Sequence, residues 1–174
     1  MRRITIIFIF LMAGLGACIL PEEKVPANQL INLDLAKKEV LHLYNLRDQG
    51  LTDSLVVYLD HSAATMRYLA ALSFASVRDS SAIEPLVRLL TDTVEEVRIA
   101  SAFALGQIGS ARAEQPLVNA FRRDDSLSQH QRFNAIVLEA IGKVGSPAML
   151  KDIATVITYE PSDTLLLEGQ CRAI

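Results

Sequence analysis

The sequence predicts an all-α chain: a right-handed α–α superhelix, or solenoid, of about four helix pairs plus an incomplete fifth. Three observations predict it. Short segments recur 31 residues apart through much of the chain. Hydrophobic residues make up 51% and aromatics 6%, with no Trp, and Leu and Ala supply most of the apolar content, which suits packed helices better than a β-sandwich. Proline and glycine punctuate the recurring segments at helix starts and ends. A chain of 174 residues suffices for one domain or one stretch of a repeat array.

The first element is an address. Arg2 and Arg3 form a positive start, and Ile4 to Gly16 is apolar apart from Thr5. Leu15-Gly16-Ala17-Cys18 follows and resembles the lipobox of bacterial lipoprotein signal peptides. The resemblance implies cleavage before Cys18, acylation of its thiol and new amine, and a lipid-anchored protein on the periplasmic face of a membrane or on the cell surface. An uncleaved membrane helix is the rival, but Gly14 and Gly16 weaken it and Pro21 stops it. Residues 1–17 are therefore read as leader and 18–33 as an acylated tether, with Pro21 and Pro26 and no clean period. Loss of Arg2 and Arg3 would take the formal charge from -3 to -5.

Residues 34–174 are read as the repeat array. Leu46-Arg47-Asp48 recurs 31 residues on as Val77-Arg78-Asp79. Leu55 and Leu59 recur as Leu86 and Leu90, then as Leu117 and Phe121; Pro85 and Pro116, like Arg67 and Arg98, keep the same interval. Ile108-Gly109 and Val144-Gly145 stand 36 apart because a polar insertion, Asp124 to Gln129, intervenes. Such a period signals units that cannot bury their apolar faces alone.

Each unit reads as helix A followed by helix B. In the third, Thr93-Val94-Glu95-Glu96 is a capping box for a helix A that ends at Gly109. Val97, Ala100, Phe103 or Ala104, and Ile108 mark its buried stripe. Ser81-Ala82-Ile83-Glu84 is the corresponding box for the second unit's helix B, and Ser128-Gln129-His130-Gln131 the one for the fourth helix A. Pro85 and Pro116 fall in the first turns of their helices, where a missing N–H costs least. Leu165 to Ile174 reads as the start of a fifth helix A, which suggests a fragment of a longer protein with an uncapped, exchange-prone C-terminal unit.

These residues resemble HEAT-like repeats of the short, phycobilin-lyase type. The third unit carries the pattern as Val97-Arg98, Ala100, Ala102 and Ala104-Leu105-Gly106-Gln107-Ile108-Gly109, then Ala113 and Pro116-Leu117-Val118. The fourth repeats it as Glu139-Ala140-Ile141-Gly142-Lys143-Val144-Gly145, and the second in part, through Arg67-Tyr68, Ala70-Ala71 and Phe74-Ala75-Ser76-Val77. In that family such arginines ladder with aspartates of neighbouring turns, which implies Asp92 and Asp60 as partners of Arg67 and Arg98. Tetratricopeptide repeats are the rival, but their 34-residue period and signature are missing.

Composition and motifs exclude more than they assign. A pI near 5.6 gives no general basic surface for nucleic acid. Two cysteines make neither a disulfide scaffold nor a zinc cage. His42, His61 and His130 lie in different units without ligand spacing, no nucleophile, phosphate-loop or zincin motif occurs, and no metal or cofactor is expected. The glycines of Gly106-Gly109 and Gly142-Gly145 are read as helix ends and close packing.

The inner face, lined by the second helices, is the expected binding surface. Two rows in register fall there: Val57, Arg88, Asn119 and Thr155, and Asp53, Glu84, Gln115 and Lys151. Their mixed charges and amides suit a protein or peptide partner. The expected function is a non-enzymatic, lipid-anchored scaffold in the bacterial envelope. The alternative is the scaffold part of a larger enzyme: the stretch from Leu51 to Asp79 resembles envelope lipoproteins whose HEAT repeats precede a cyclophilin-type peptidylprolyl isomerase domain. No isomerase residue carries over to this chain.

Overall fold

The computed structural model describes residues 26–122, 129–147, 149 and 164–173. Among them every regular element is helical. The elements are α1 (Lys38–Asp48), α2 (Thr52–Val56), continued by the 3-10 turn Val57–Asp60, α3 (Ala64–Val77), α4 (Ile83–Leu89), α5 (Glu95–Ile108), α6 (Glu114–Ala120), α7 (Gln131–Val144) and α8 (Thr164–Ala173). Helices α1, α3, α5 and α7 are the four A helices; α2, α4 and α6 are the B helices of the first three pairs. The B helix expected in the fourth pair lies outside the described residues.

The A helices stack in sequence, α3 on α5, α5 on α7 and α7 on α8, while each B helix leans on the A helices beside it. The core follows that seam: Leu43, Leu55, Leu59, Phe74, Leu86, Leu105, Leu117, Phe133 and Leu138 are fully buried. The stripe expected on α5 is present at Val97, Ala100 and Ala104, whereas Phe103 and Ile108 are half-buried at its edge. Alanines at 70, 71, 100, 102 and 104 keep the A helices close. Gly106 serves the same end, since a Cβ there would meet Ala140 Cα at 2.9 Å. At Gly169 a Cβ would meet the Ala135 carbonyl at 2.5 Å, and Gly142 faces the Ala173 backbone in the same way. Helix α8 thus stacks on α7 as a fifth A helix. Leu167, on its far side, is exposed.

Helix ends correct several expected caps. No side-chain bond from Thr93 starts α5; the carboxylate of Asp92 instead accepts the Val94 N–H at 2.9 Å. Before α4 the cap is Asp79 rather than Ser81: its carboxylate accepts the Ser81 N–H at 2.7 Å, an arrangement that holds its pKa below the ordinary aspartate value. A carboxylate is the stronger acceptor for amides at a helix start, where the backbone dipole favours negative charge. Ser128 lies outside the described residues, and His130 at the cap position of α7 makes no side-chain cap bond.

Gly109 closes α5 as expected, in the left-handed region at φ 71°, its N–H reaching the Leu105 carbonyl at 3.2 Å. Thirty-one residues earlier, Arg78 closes α3 in the same conformation at φ 60°. Gly145, at φ -73°, ends α7 in extended backbone instead.

Of the segment 18–33, residues from Pro26 onward are described. Here the chain turns once over Ala27–Gln29 and is tied to α3: Asn32 N–H donates to Thr65 Oγ1 at 2.9 Å, and the Thr65 hydroxyl donates to the Leu30 carbonyl at 3.1 Å. Cys18 and the leader lie outside the described residues. No helix among the described residues is long and apolar enough to cross a membrane.

Candidate partner-binding face

Helix periodicity places Glu84 and Arg88 one turn apart on α4, and Gln115 and Asn119 one turn apart on α6. All four side chains are exposed, as are Asp53 on α2 and Val57 just after it, the latter at 69%. The two rows expected from the 31-residue register therefore stand on successive B helices. Lys151 and Thr155 lie outside the described residues.

Each of the four is held by a neighbour. Arg88 Nη2 donates to Asp60 Oδ2 at 3.0 Å, and Arg112 Nη2 donates to Glu84 Oε1 at 2.9 Å. Gln115 Nε2 donates to Asn119 Oδ1 at 2.9 Å along α6. Further along, the Ser146 hydroxyl donates to Glu114 Oε1 at 2.9 Å. Consecutive pairs are thus cross-linked along the B-helix face by alternating charge. At this exposure such ion pairs add little stability, because water screens them; they fix where the charges stand. Asp60 and Arg112 were not in the expected rows. The signal was available, since Asp60 to Arg88 and Glu84 to Arg112 are both 28 residues.

Deeper between the pairs lies the arginine ladder. Arg67 donates through Nε to Asp92 Oδ2 at 2.7 Å and through Nη2 to Oδ1 at 2.9 Å. Its Nη1 reaches the carbonyls of His61 and Ser62. Arg98 repeats the second half of this pattern with the carbonyls of Asp92 and Thr93, and its guanidinium lies over the Phe133 ring at 5.8 Å. Asp60, expected to join this ladder, pairs with Arg88 instead because it faces outward from its 3-10 turn. At the matching position of α7 stands Asn134. Its amide accepts the Arg122 N–H and donates to the Arg122 carbonyl, both at 2.9 Å, clamping the chain that leaves α6.

The histidines are less scattered than their spacing implied. His42 packs edge-on against Tyr58, and Tyr58 stacks on His61. The His61 Nδ1 accepts the Ala63 N–H at 3.0 Å, so this ring shapes the entry to α3. Among the described residues no three of His, Cys, Asp and Glu converge as a metal site.

Stacked A helices with B helices on one side make a helical repeat. Residues 52–131 match the family of HEAT repeats. Over that stretch the chain is similar to HEAT repeats. No curated protein matches it. The matched HEAT segment runs from α2 to the start of α7 and contains Glu84, Arg88, Gln115 and Asn119 together with the Arg67–Asp92 pair. This is a helical repeat scaffold, an architecture that serves protein interaction by presenting one surface on successive units.

Proposed function

We propose that this chain is a non-enzymatic scaffold of the bacterial cell envelope, anchored by acyl chains on Cys18, that binds a protein or peptide partner along its B-helix face. The observation that carries the reading is the exposed row of Glu84, Arg88, Gln115 and Asn119 on consecutive helix pairs, the first two charged and the last two amides. A row whose charges are held by contacts between units and whose amides pair within α6 needs little reordering on binding, which favours recognition. Anchoring is supported by Leu15-Gly16-Ala17-Cys18 after an apolar run. The isomerase alternative rests on the resemblance around Leu51 to Asp79 alone.

Two measurements test the proposal. Mass spectrometry of the mature protein should find a diacylglyceryl-modified Cys18 as the first residue, and Cys18→Ala should leave the precursor uncleaved. Proteins that co-purify with the native chain should be lost when Glu84→Lys and Arg88→Glu are combined. An unmodified mature terminus elsewhere removes the anchor, and unchanged co-purification removes the B-helix face.

A further inference from the structure

The opposite face of the array holds a second surface. The Ser101 hydroxyl donates to the Leu86 carbonyl, so that side of α5 faces α4. Phe103 lies two residues on, about 200° round the helix at roughly 100° per residue, and points away from the B helices together with Gln107 one turn later. These two side chains and Leu72, Ala75, Ser76 and Arg78 line an open groove of about 640 Å³ between the C-terminal halves of α3 and α5. Leu72 and Phe103 pack on the core with one side and remain accessible on the other.

Arg78 is unusual in both backbone and charge. It holds φ 60° where Gly109 serves the equivalent turn at φ 71°. Glycine would close α3 without the clash between Cβ and carbonyl that the left-handed region imposes. What the arginine adds is a guanidinium at the groove's mouth. Arg67, Arg88 and Arg112 each hold a carboxylate. Arg78 donates through Nη2 to the neutral amide oxygen of Gln107 at 3.2 Å, and the adjacent Asp79 carboxylate is turned to the Ser81 N–H. The Lys143 ammonium, held by Glu139 at 2.7 Å, stands 5.6 Å from the Phe103 ring centre and brings a second cation to this side. A cation that meets no carboxylate among the described residues, beside two accessible apolar side chains, is complementary to an acidic segment with an apolar anchor.

We propose that the α3–α5 groove docks an acidic peptide segment of a partner protein, the Arg78 guanidinium receiving its carboxylate while Leu72 and Phe103 seat a nearby apolar side chain. The surface is separate from the Glu84–Asn119 row and does not depend on it. The probe is a displayed library of random dodecapeptides, panned on the purified full chain, with fluorescence anisotropy on the enriched peptides. Peptides pairing Asp or Glu with Leu or Phe should be enriched. Their affinity should fall about tenfold or more in Arg78→Gly, the effect of losing a charge-assisted hydrogen bond. Arg78→Gly keeps the turn that closes α3, so a thermal transition that does not fall separates lost binding from lost fold, and Arg78→Lys should recover part of the affinity. Combined Glu84→Gln and Arg88→Gln should leave it unchanged. No enrichment of acidic peptides, equal binding to Arg78→Gly, or loss on changing Glu84 and Arg88 would overturn the proposal.

Discussion

Arg67, on the second helix pair, grips Asp92, at the start of the third, through two parallel hydrogen bonds of 2.7 and 2.9 Å. The side chains retain 13% and 7% of their exposure, so this pair is largely withdrawn from water. Asp92 also caps α5 through the Val94 N–H, and Arg67 also ties down the loop before α3. One ion pair thereby links the starts of two A helices and sets their stacking distance.

Arg67→Ala should therefore destabilise the chain by about 2–3 kcal/mol, because it leaves a nearly buried carboxylate short of its cation. Urea unfolding followed by circular dichroism gives the value. A loss below about 0.5 kcal/mol would place the pair among surface contacts, which contribute that little.

Replacing Arg78 by Gly should stabilise the chain by about 0.5–1 kcal/mol through relief of the left-handed backbone, less the bond to Gln107. Gly109→Ala should cost about 1 kcal/mol for the reciprocal reason. Thermal unfolding of both variants beside the parent checks the opposite signs.

Close approach of α7 and α8 makes their glycines intolerant. Gly169→Val would drive its side chain into the Ala135 backbone, so α8 should lift off while α3 and α5 stay intact. Hydrogen exchange resolved by segment should show faster exchange in α8 alone. Even in the parent, α8 should exchange faster than α3 or α5, since it stacks on α7 with Leu167 left exposed.

Acid should loosen the same contact. The Glu139 carboxylate accepts from Lys143 at 2.7 Å and from Arg172 at 3.2 Å, and these bonds hold its pKa below the ordinary glutamate value. A carboxylate with a lowered folded pKa contributes stability that is complete above its unfolded pKa and is lost as pH falls through the folded one. Protection of α8 should thus drop as pH falls below the usual glutamate range, and Glu139→Gln should remove that step while weakening α8 at neutral pH.

Much of this fold was legible because a 31-residue period, Leu/Ala faces and Gly109 each encode a backbone requirement directly. Caps were less legible. Thr93 and Glu96 fit the capping pattern, but Asp92 was better placed because Arg67 fixes its carboxylate, a contact spanning 25 residues. The B-helix rows followed from register, yet their partners Asp60 and Arg112 depend on how adjacent pairs are offset. Tyr58 joins His42 to His61 only through the α1–α2 bend, which residue spacing does not reveal. Nothing in the local sequence marks Arg78 as left-handed, since arginine carries no preference for that region.

If the B-helix face of this helix-pair array meets a protein partner as proposed, contact can be trapped there. A photo-crosslinking amino acid placed at Val57 or at Asn119, in cells carrying the native protein, tests it most directly. Both positions are exposed and stand in register on that face. Irradiation should yield the same discrete adduct from both sites, and none from a control position at Lys38 on α1. Adducts from neither site, or an identical diffuse pattern from all three, would contradict the account.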